Sequence, residues 1–320
     1  MISIRREPAK PGLPIRNRVI FKKRIRRQSF LRNLIQMKIF FMKTFMIIGI
    51  ILILWLVLAQ SCMTFRMNDA DAREKFRAKG VDVIINTIVV NNRHLHYLKT
   101  GNDSLPTIIF IHGTPGSWDA FEQYLQDKEL LQKFRMVAID RPGFGHSDYG
   151  RPLNLAQQSV IISPLFDHIK NGKPLYLVGH SLGGPMIIKL AADNPGRIAG
   201  LVLLAGSNDP AQEAPEKWRP VLYKTPLTYF VPGAMRPSNE ELWYLKKDLV
   251  YLKKDFPKIT CPVYIVHGLK DNMVPPANVD YDKKMLVNAS AIHELIFPDA
   301  NHFIPWTKYQ PIKELLLKLY

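Results

Sequence analysis

The sequence predicts an α/β fold: a doubly wound, mostly parallel sheet with an N-terminal antiparallel hairpin and a small helical lid. Three observations carry this expectation. After Gly80, apolar runs of four to six residues alternate with amphipathic stretches, as in a parallel sheet with right-handed crossovers. These runs are too short for helices and nearly free of polar residues, which suits strands buried on both faces. One of them leads directly into a Gly-X-Ser-X-Gly turn followed by a helical stretch.

In chain order, the first segment is a basic arm. Residues 1–43 hold 13 of the 44 Lys and Arg and one of the 27 acids, so +12 of the net +17 belongs to the arm and +5 to the rest. A charge excess confined to a short arm before a hydrophobic run excludes a nucleic-acid-binding face on the folded part. FMIIGIILILWLVLA (45–59) follows without a charge, and with residues 39–42 it reaches the length needed to cross a bilayer. Basic residues precede it and Asp69 and Asp71 follow, which places the globular part on the extracytoplasmic side, in a bacterial cell envelope. Three readings stand open for residues 44–62: an uncleaved anchor, a signal peptide, or a lipoprotein signal in which Cys62 of AQSC is lipidated. A second start at Met42 would leave the arm untranslated. Residues 63–80 read as a linker helix, and 81–320 as the catalytic domain.

Within that domain, VIINTIVV (83–90) and HLHYLKT (94–100), joined by Asn91-Asn92, form the hairpin. TIIFI (107–111), MVAI (136–139), LYLV (175–178), GLVLLA (200–205), VYIV (263–266) and HELIF (293–297) are the parallel strands. Helices are expected over 117–132, 153–170, 182–193, 277–288 and 308–319. Over fifty residues separate Ala205 from Pro262, too many for a plain loop, so 208–258 is expected to be a helical lid. The two cysteines, Cys62 and Cys261, lie far apart and in no metal-type spacing, which excludes a disulfide framework and gives no zinc ligand set. No metal or organic cofactor is expected.

The chemistry centres on LYLVGHSLGG (175–184). A sharp strand-to-helix turn exposes the Ser181 hydroxyl above the sheet, and the following helix N-terminus favours negative charge there. A serine hydroxyl needs a base to become a nucleophile. His302, in the loop after the last strand, is the best placed of nine histidines; His293 lies at that strand's opposite end and His267 in a tight turn. The base needs a carboxylate to fix its tautomer. Asp271 supplies the order Ser, Asp, His, with Asp209 as runner-up and Asp299 read as a solvated turn residue. The oxyanion donors are expected to be the N–H groups of Leu182 and Thr114, the latter in His112-Gly-Thr-Pro-Gly116. His112 itself is expected to order that loop by hydrogen bonding.

With HGTPG at 112–116, DRPGFGHS at 140–147 and GHSLGG at 179–184, residues 83–320 resemble the α/β-hydrolase superfamily. The resemblance implies Ser181 as nucleophile, Asp271 as acid, His302 as base, and a structural role for the 140–147 turn. Serine at 181 distinguishes the chain from epoxide hydrolases, which carry Asp there, and GHSLGG differs from the GGSWG-like elbows of proline iminopeptidases. The expected reaction is hydrolysis of an ester-like bond through an acyl-enzyme. C–C, thioester and amide hydrolysis and acyl transfer share the same triad and stay open. So do a non-catalytic ligand-binding member of the fold and a membrane scaffold with a cytoplasmic partner for the arm. The aromatic lid residues Trp218, Tyr223, Tyr229, Phe230, Trp243 and Tyr244 point to a small apolar or aromatic ester-like substrate, although helical spacing places such residues in lid core more often than in a pocket wall.

Overall fold

The computed structural model describes residues 15–320, the side chains of residues 15–21 and 25 excepted. The first 14 residues of the basic arm, including Arg5, Arg6, Glu7 and Lys10, lie outside the described residues. The chain divides into two units, one ending at Val57 and the other running from Leu58 to Tyr320.

Helix α1 (Ile15–Ser61) is continuous through the apolar run. Its part from Lys22 to Ser61 is long and apolar enough to cross a membrane. Phe45, Ile47, Ile51 and Leu54 are each more than half exposed, whereas a soluble core helix would bury one face.

The larger unit starts with α2 (Asp69–Ala78), whose first turn is capped by Asn68 accepting the Asp71 amide at 2.9 Å. Strands β1 (Val83–Val90) and β2 (Arg93–Thr100) pair antiparallel. Asn91 and Asn92 both adopt positive φ at their turn, the conformation that asparagine tolerates and a two-residue hairpin requires. Next come β3 (Thr107–Ile111), a short 3₁₀ turn (Trp118–Phe121), α3 (Glu122–Leu125), α4 (Lys128–Lys133) and β4 (Arg135–Ile139). Helices α5 (Leu155–Ile162) and α6 (Pro164–His168) lead to β5 (Leu175–His180), α7 (Gly183–Asp193) and β6 (Gly200–Leu204). An insertion holding α8 (Arg219–Tyr223), a 3₁₀ turn (Pro226–Phe230) and α9 (Met235–Leu252) precedes β7 (Val263–Gly268). The chain continues through α10 (Ala277–Met285), β8 (Ile292–Phe297), α11 (Ile304–Thr307) and α12 (Tyr309–Leu316).

The eight strands form one sheet in the order β1-β2-β4-β3-β5-β6-β7-β8, antiparallel through β1, β2 and β4 and parallel from β4 onward. Alternate residues of each strand feed opposite faces. Ile109, Leu177 and Leu203 pack beneath α7 and α9, while Phe110, Val178 and Leu204 pack against Trp118, Phe121 and Ile312. Every predicted strand is present. Four predicted helices are divided or shortened, among them 277–288, which ends at Met285. Asp127 accepts the amides of Glu129 and Leu130 and so starts α4 as a new helix. Pro164 has no N–H to continue the ladder of α5. The stretch 308–319 is helical only from Tyr309 to Leu316, with α11 ahead of it.

The insertion is seated on the core by Leu245, Leu249 and Leu252 of α9. It also holds the start of the larger unit. Gly233 N–H and Arg236 Nη2 donate to the Ala59 carbonyl at 2.9 and 3.0 Å, Gln60 Nε2 donates to the Tyr229 carbonyl, and Ala234 N–H donates to Met63 O.

Candidate active site

The turn between β5 and α7 is forced into shape by its glycines. Ser181 has φ 55°, a left-handed conformation uncommon for a residue with a side chain. The turn is so tight that a Cβ on Gly179 would lie 2.2 Å from the Gly183 carbonyl oxygen, and one on Gly183 would lie 2.2 Å from Ile111 O. Hydrogen bonds fix the elbow on both sides: Ser181 N–H donates to Leu204 O at 2.9 Å, and Ser181 O accepts from Gly184 and Ser207.

Asp271, after β7, and His302, after β8, meet at the same edge of the sheet. His302 Nδ1 lies 2.7 Å from Asp271 Oδ2, and both residues are buried. Asp271 Oδ1 accepts the amides of Met273 and Val274 at 2.9 and 2.8 Å. Burial pushes the Asp271 carboxyl upward, but the hydrogen bonds from His302, Val274 and Met273 outweigh it and hold it below the usual carboxylate value. An ionised Asp271 therefore accepts a hydrogen bond from Nδ1–H, which keeps the proton on Nδ1 and leaves Nε2 as the basic nitrogen. His302 and Ser181 open onto one cavity of about 440 Å³. Ser181 makes no side-chain hydrogen bond among the described residues, which leaves its hydroxyl uncommitted in the cavity it shares with His302.

Thr114 and Leu182 line the same cavity, and neither amide donates to an acceptor among the described residues. Two uncommitted N–H groups beside a serine are what an oxyanion needs. The loop approaches closely because Gly113 lacks a side chain; a Cβ there would lie 2.9 Å from that of Ser181.

The other candidates are committed to other partners, although His267 Nε2 lies 3.6 Å from Asp271 Oδ2. Asp209 accepts from Ala211 N, and Asp299 pairs with Lys308 at 2.9 Å. His293 stacks on Tyr264, and His267 Nε2 donates to Val274 O. His112 donates from Nδ1 to Gly113 O at 2.7 Å and accepts the Arg141 amide on Nε2, so it orders the loop. Burial, seconded by the Arg141 charge, keeps it neutral by holding it well below the ordinary histidine value. His180 donates from Nε2 to the His302 carbonyl, and burial next to His302 lowers it to about 3.

None of the six aromatic residues expected from the lid lines this cavity or is fully buried; Trp218 and Tyr229 are about half exposed. The wall instead combines Leu242, Leu245 and Met273 with Glu213, Glu216 and Arg219. The helical period of α9 turns its leucines, not its aromatics, toward the sheet.

Sequence reasoning missed Arg141. Its guanidinium is fully buried and all five N–H groups are used. Nε donates to His112 O and Nη2 to Gly113 O, both at 2.8 Å, while Nη1 donates to Gln158 at 3.0 Å. The remaining two reach Glu241 of α9, at 2.5 and 2.9 Å. The available signal was a charged residue two positions after a buried strand, which must find a partner; nothing in the sequence singled out Glu241.

Residues 106–230 match the family model of the alpha/beta hydrolase fold. Among curated relatives, a 2-hydroxy-6-oxononadienedioate/2-hydroxy-6-oxononatrienedioate hydrolase of Burkholderia vietnamiensis is 25% identical over 267 residues, 70% of this chain and 89% of that enzyme. A pimeloyl-(acyl-carrier protein) methyl ester esterase of Nitrosomonas europaea is 24% identical over 249 residues, 65% of this chain and 92% of that enzyme. Of solved structures, a bacterial membrane phospholipase A superposes with a TM-score of 0.55 at 19% identity, covering 91% of this chain and 99% of the other, a likeness of fold.

Proposed function

Because the chain belongs to the α/β-hydrolase superfamily, we propose that it is a membrane-tethered serine hydrolase that cleaves an ester-like bond through Ser181, His302 and Asp271. The observation that carries the reading is the 2.7 Å bond from His302 to Asp271 at the rim of the cavity that Ser181 shares. His302 Nε2 removes the Ser181 proton as Oγ attacks the carbonyl carbon, and the Thr114 and Leu182 amides hold the resulting oxyanion. The tetrahedral intermediate collapses to an acyl-enzyme as His302 protonates the leaving alcohol. Water, deprotonated by His302, then attacks the acyl carbon and frees Ser181.

The cavity wall favours a substrate with an apolar part against Leu242 and Leu245 and a polar group facing Glu213 and the Glu216–Arg219 ion pair. An esterase among the relatives supports the ester reading. C–C bond hydrolysis on the same triad is the second reading, because the Burkholderia relative is named for a dienedioate substrate of that kind.

Tethering rests on the apolar length of α1, and the charge asymmetry around it favours an extracytoplasmic catalytic unit. Of the three readings of residues 44–62, we favour an uncleaved anchor. Cleavage before Cys62 would remove Ala59 and Gln60, which hydrogen-bond to Gly233, Arg236 and Tyr229.

The test is capture by a fluorophosphonate probe in membranes holding the full chain. Labelling abolished by Ser181→Ala, together with turnover of p-nitrophenyl esters of graded acyl length, is expected. A folded wild-type protein that neither labels nor turns over esters would instead support a non-catalytic pocket.

A further inference from the structure

We propose that Arg141 and Glu241 are a positioning pair that locks the Thr114 amide into its oxyanion-binding orientation only while helix α9 is seated. The inference rests on the serine-hydrolase reading of the site.

The argument starts from the Gly113–Thr114 peptide. It is a trans peptide, so its C=O and N–H point in opposite directions. The Gly113 oxygen accepts two hydrogen bonds, from Arg141 Nη2 at 2.8 Å and from His112 Nδ1 at 2.7 Å. Arg141 Nε holds the preceding carbonyl, that of His112, at 2.8 Å. With both carbonyls turned to the guanidinium, the Thr114 N–H points away from it. Thr114 lines the Ser181 cavity and its amide has no acceptor among the described residues. A peptide flip would put a carbonyl oxygen where the oxyanion must sit.

The guanidinium could not hold this geometry alone. It is fully buried, and an unpaired charge there would be costly. Glu241 neutralises it with both carboxylate oxygens and is itself steadied by Gln158 Nε2 at 2.7 Å. A two-point fork of this kind fixes the guanidinium plane as well as its charge. Glu241 sits on the helix that also places Leu242 and Leu245 on the cavity wall. One rigid element therefore closes the substrate cavity and completes the ion pair that orients the oxyanion donor. Lifting α9 would remove the carboxylate, loosen the guanidinium and free the Gly113–Thr114 peptide to turn.

Glu241→Gln is the discriminating variant, because it keeps the size of the side chain while replacing one acceptor oxygen by a donor facing Arg141; Arg141→Lys is the second. With the full chain in detergent and an ester substrate, kcat is expected to fall about 10- to 100-fold, somewhat less than removal of an oxyanion donor. KM should move less than about threefold, since ground-state contacts are untouched. Inhibition by a trifluoromethyl ketone, whose tetrahedral adduct needs the same donors, should weaken by the same factor as kcat. A crystal structure of Glu241→Gln should show the Gly113 carbonyl turned from Arg141. Wild-type kcat and ketone affinity in folded variants, or an unmoved Gly113–Thr114 peptide, would overturn the proposal. An inactive wild-type protein would count against the serine-hydrolase reading, and the peptide orientation in Glu241→Gln still decides the pairing itself.

Discussion

Asp271 divides its two oxygens between different tasks: Oδ2 holds His302 Nδ1 at 2.7 Å, while Oδ1 accepts the amides of Met273 and Val274. The backbone donors fix the carboxylate plane, so the imidazole inherits its orientation from the turn after β7. An Asp271→Asn variant keeps the turn but presents an amide to Nδ1, which favours the wrong histidine tautomer. We expect kcat on an ester to fall about 10⁴-fold with the fold intact, the magnitude seen when a triad aspartate is replaced in this way. Near-wild-type turnover would assign the base elsewhere.

The elbow leaves no room for a side chain at Gly183, because a Cβ there would lie 2.2 Å from the Ile111 carbonyl oxygen, which is held in the sheet. Gly183→Ala should therefore move β3 or α7. A loss of about 1–3 kcal/mol is expected from overpacking of this kind, read from urea unfolding. An unchanged midpoint would mean that the contact relaxes freely.

The buried imidazoles should cost stability on mild acidification. Burial holds His180 at about 3, and also lowers His112 and His267, against an ordinary value of 6.5. Below pH 6.5 the unfolded imidazoles take up protons that the folded ones refuse, so each contributes a loss of up to about 1.4 kcal/mol per pH unit. The depressed carboxyl of Asp271 acts with the same sign in a lower window: its contribution is present above 3.8 and is lost as pH falls through its folded value. Urea midpoints at pH 7, 5.5 and 4.5 should fall by a smaller amount, relative to pH 7, in His267→Gln than in the wild type. Burial also raises Asp248 to about 6 and Asp282 well above 3.8, and these act with the opposite sign, so the comparison with His267→Gln is the test: identical pH slopes in variant and wild type would contradict a buried neutral imidazole at 267.

How far the sequence carried the reading depended on the range of the signal. The inner strands were legible because fully buried strands such as Ile108–Ile111 must be apolar throughout, the hairpin because Asn91-Asn92 marks its turn, and Ser181 because its turn demands glycine on both sides. The Asp271–His302 contact came from placing both residues after successive strands, which a parallel sheet brings to one edge. The Arg141–Glu241 pair was not legible, since its partners lie 100 positions apart and only the seating of α9 brings them together. The helical aromatics misled for a related reason. Composition says that a segment is sticky, but only its packing decides which face meets the cavity.

The attachment of the chain offers a last test. Ala59 O accepts from both Gly233 N–H and Arg236 Nη2, and Gln60 reaches the Tyr229 carbonyl. A Cβ on Gly233 would lie 2.2 Å from the Cys62 carbonyl, so the 59–63 segment is fitted to the insertion rather than draped over it. If lipidation of Cys62 supplied the membrane anchor, processing would delete residues 59–61 and strip four-point docking down to the Met63 contact. An uncleaved anchor keeps every one of these bonds. We therefore expect Cys62→Ala to remain in the membrane fraction at wild-type abundance and to keep its apparent mass. Release of Cys62→Ala into the soluble fraction, or a mature protein beginning at Cys62, would establish the lipoprotein reading instead.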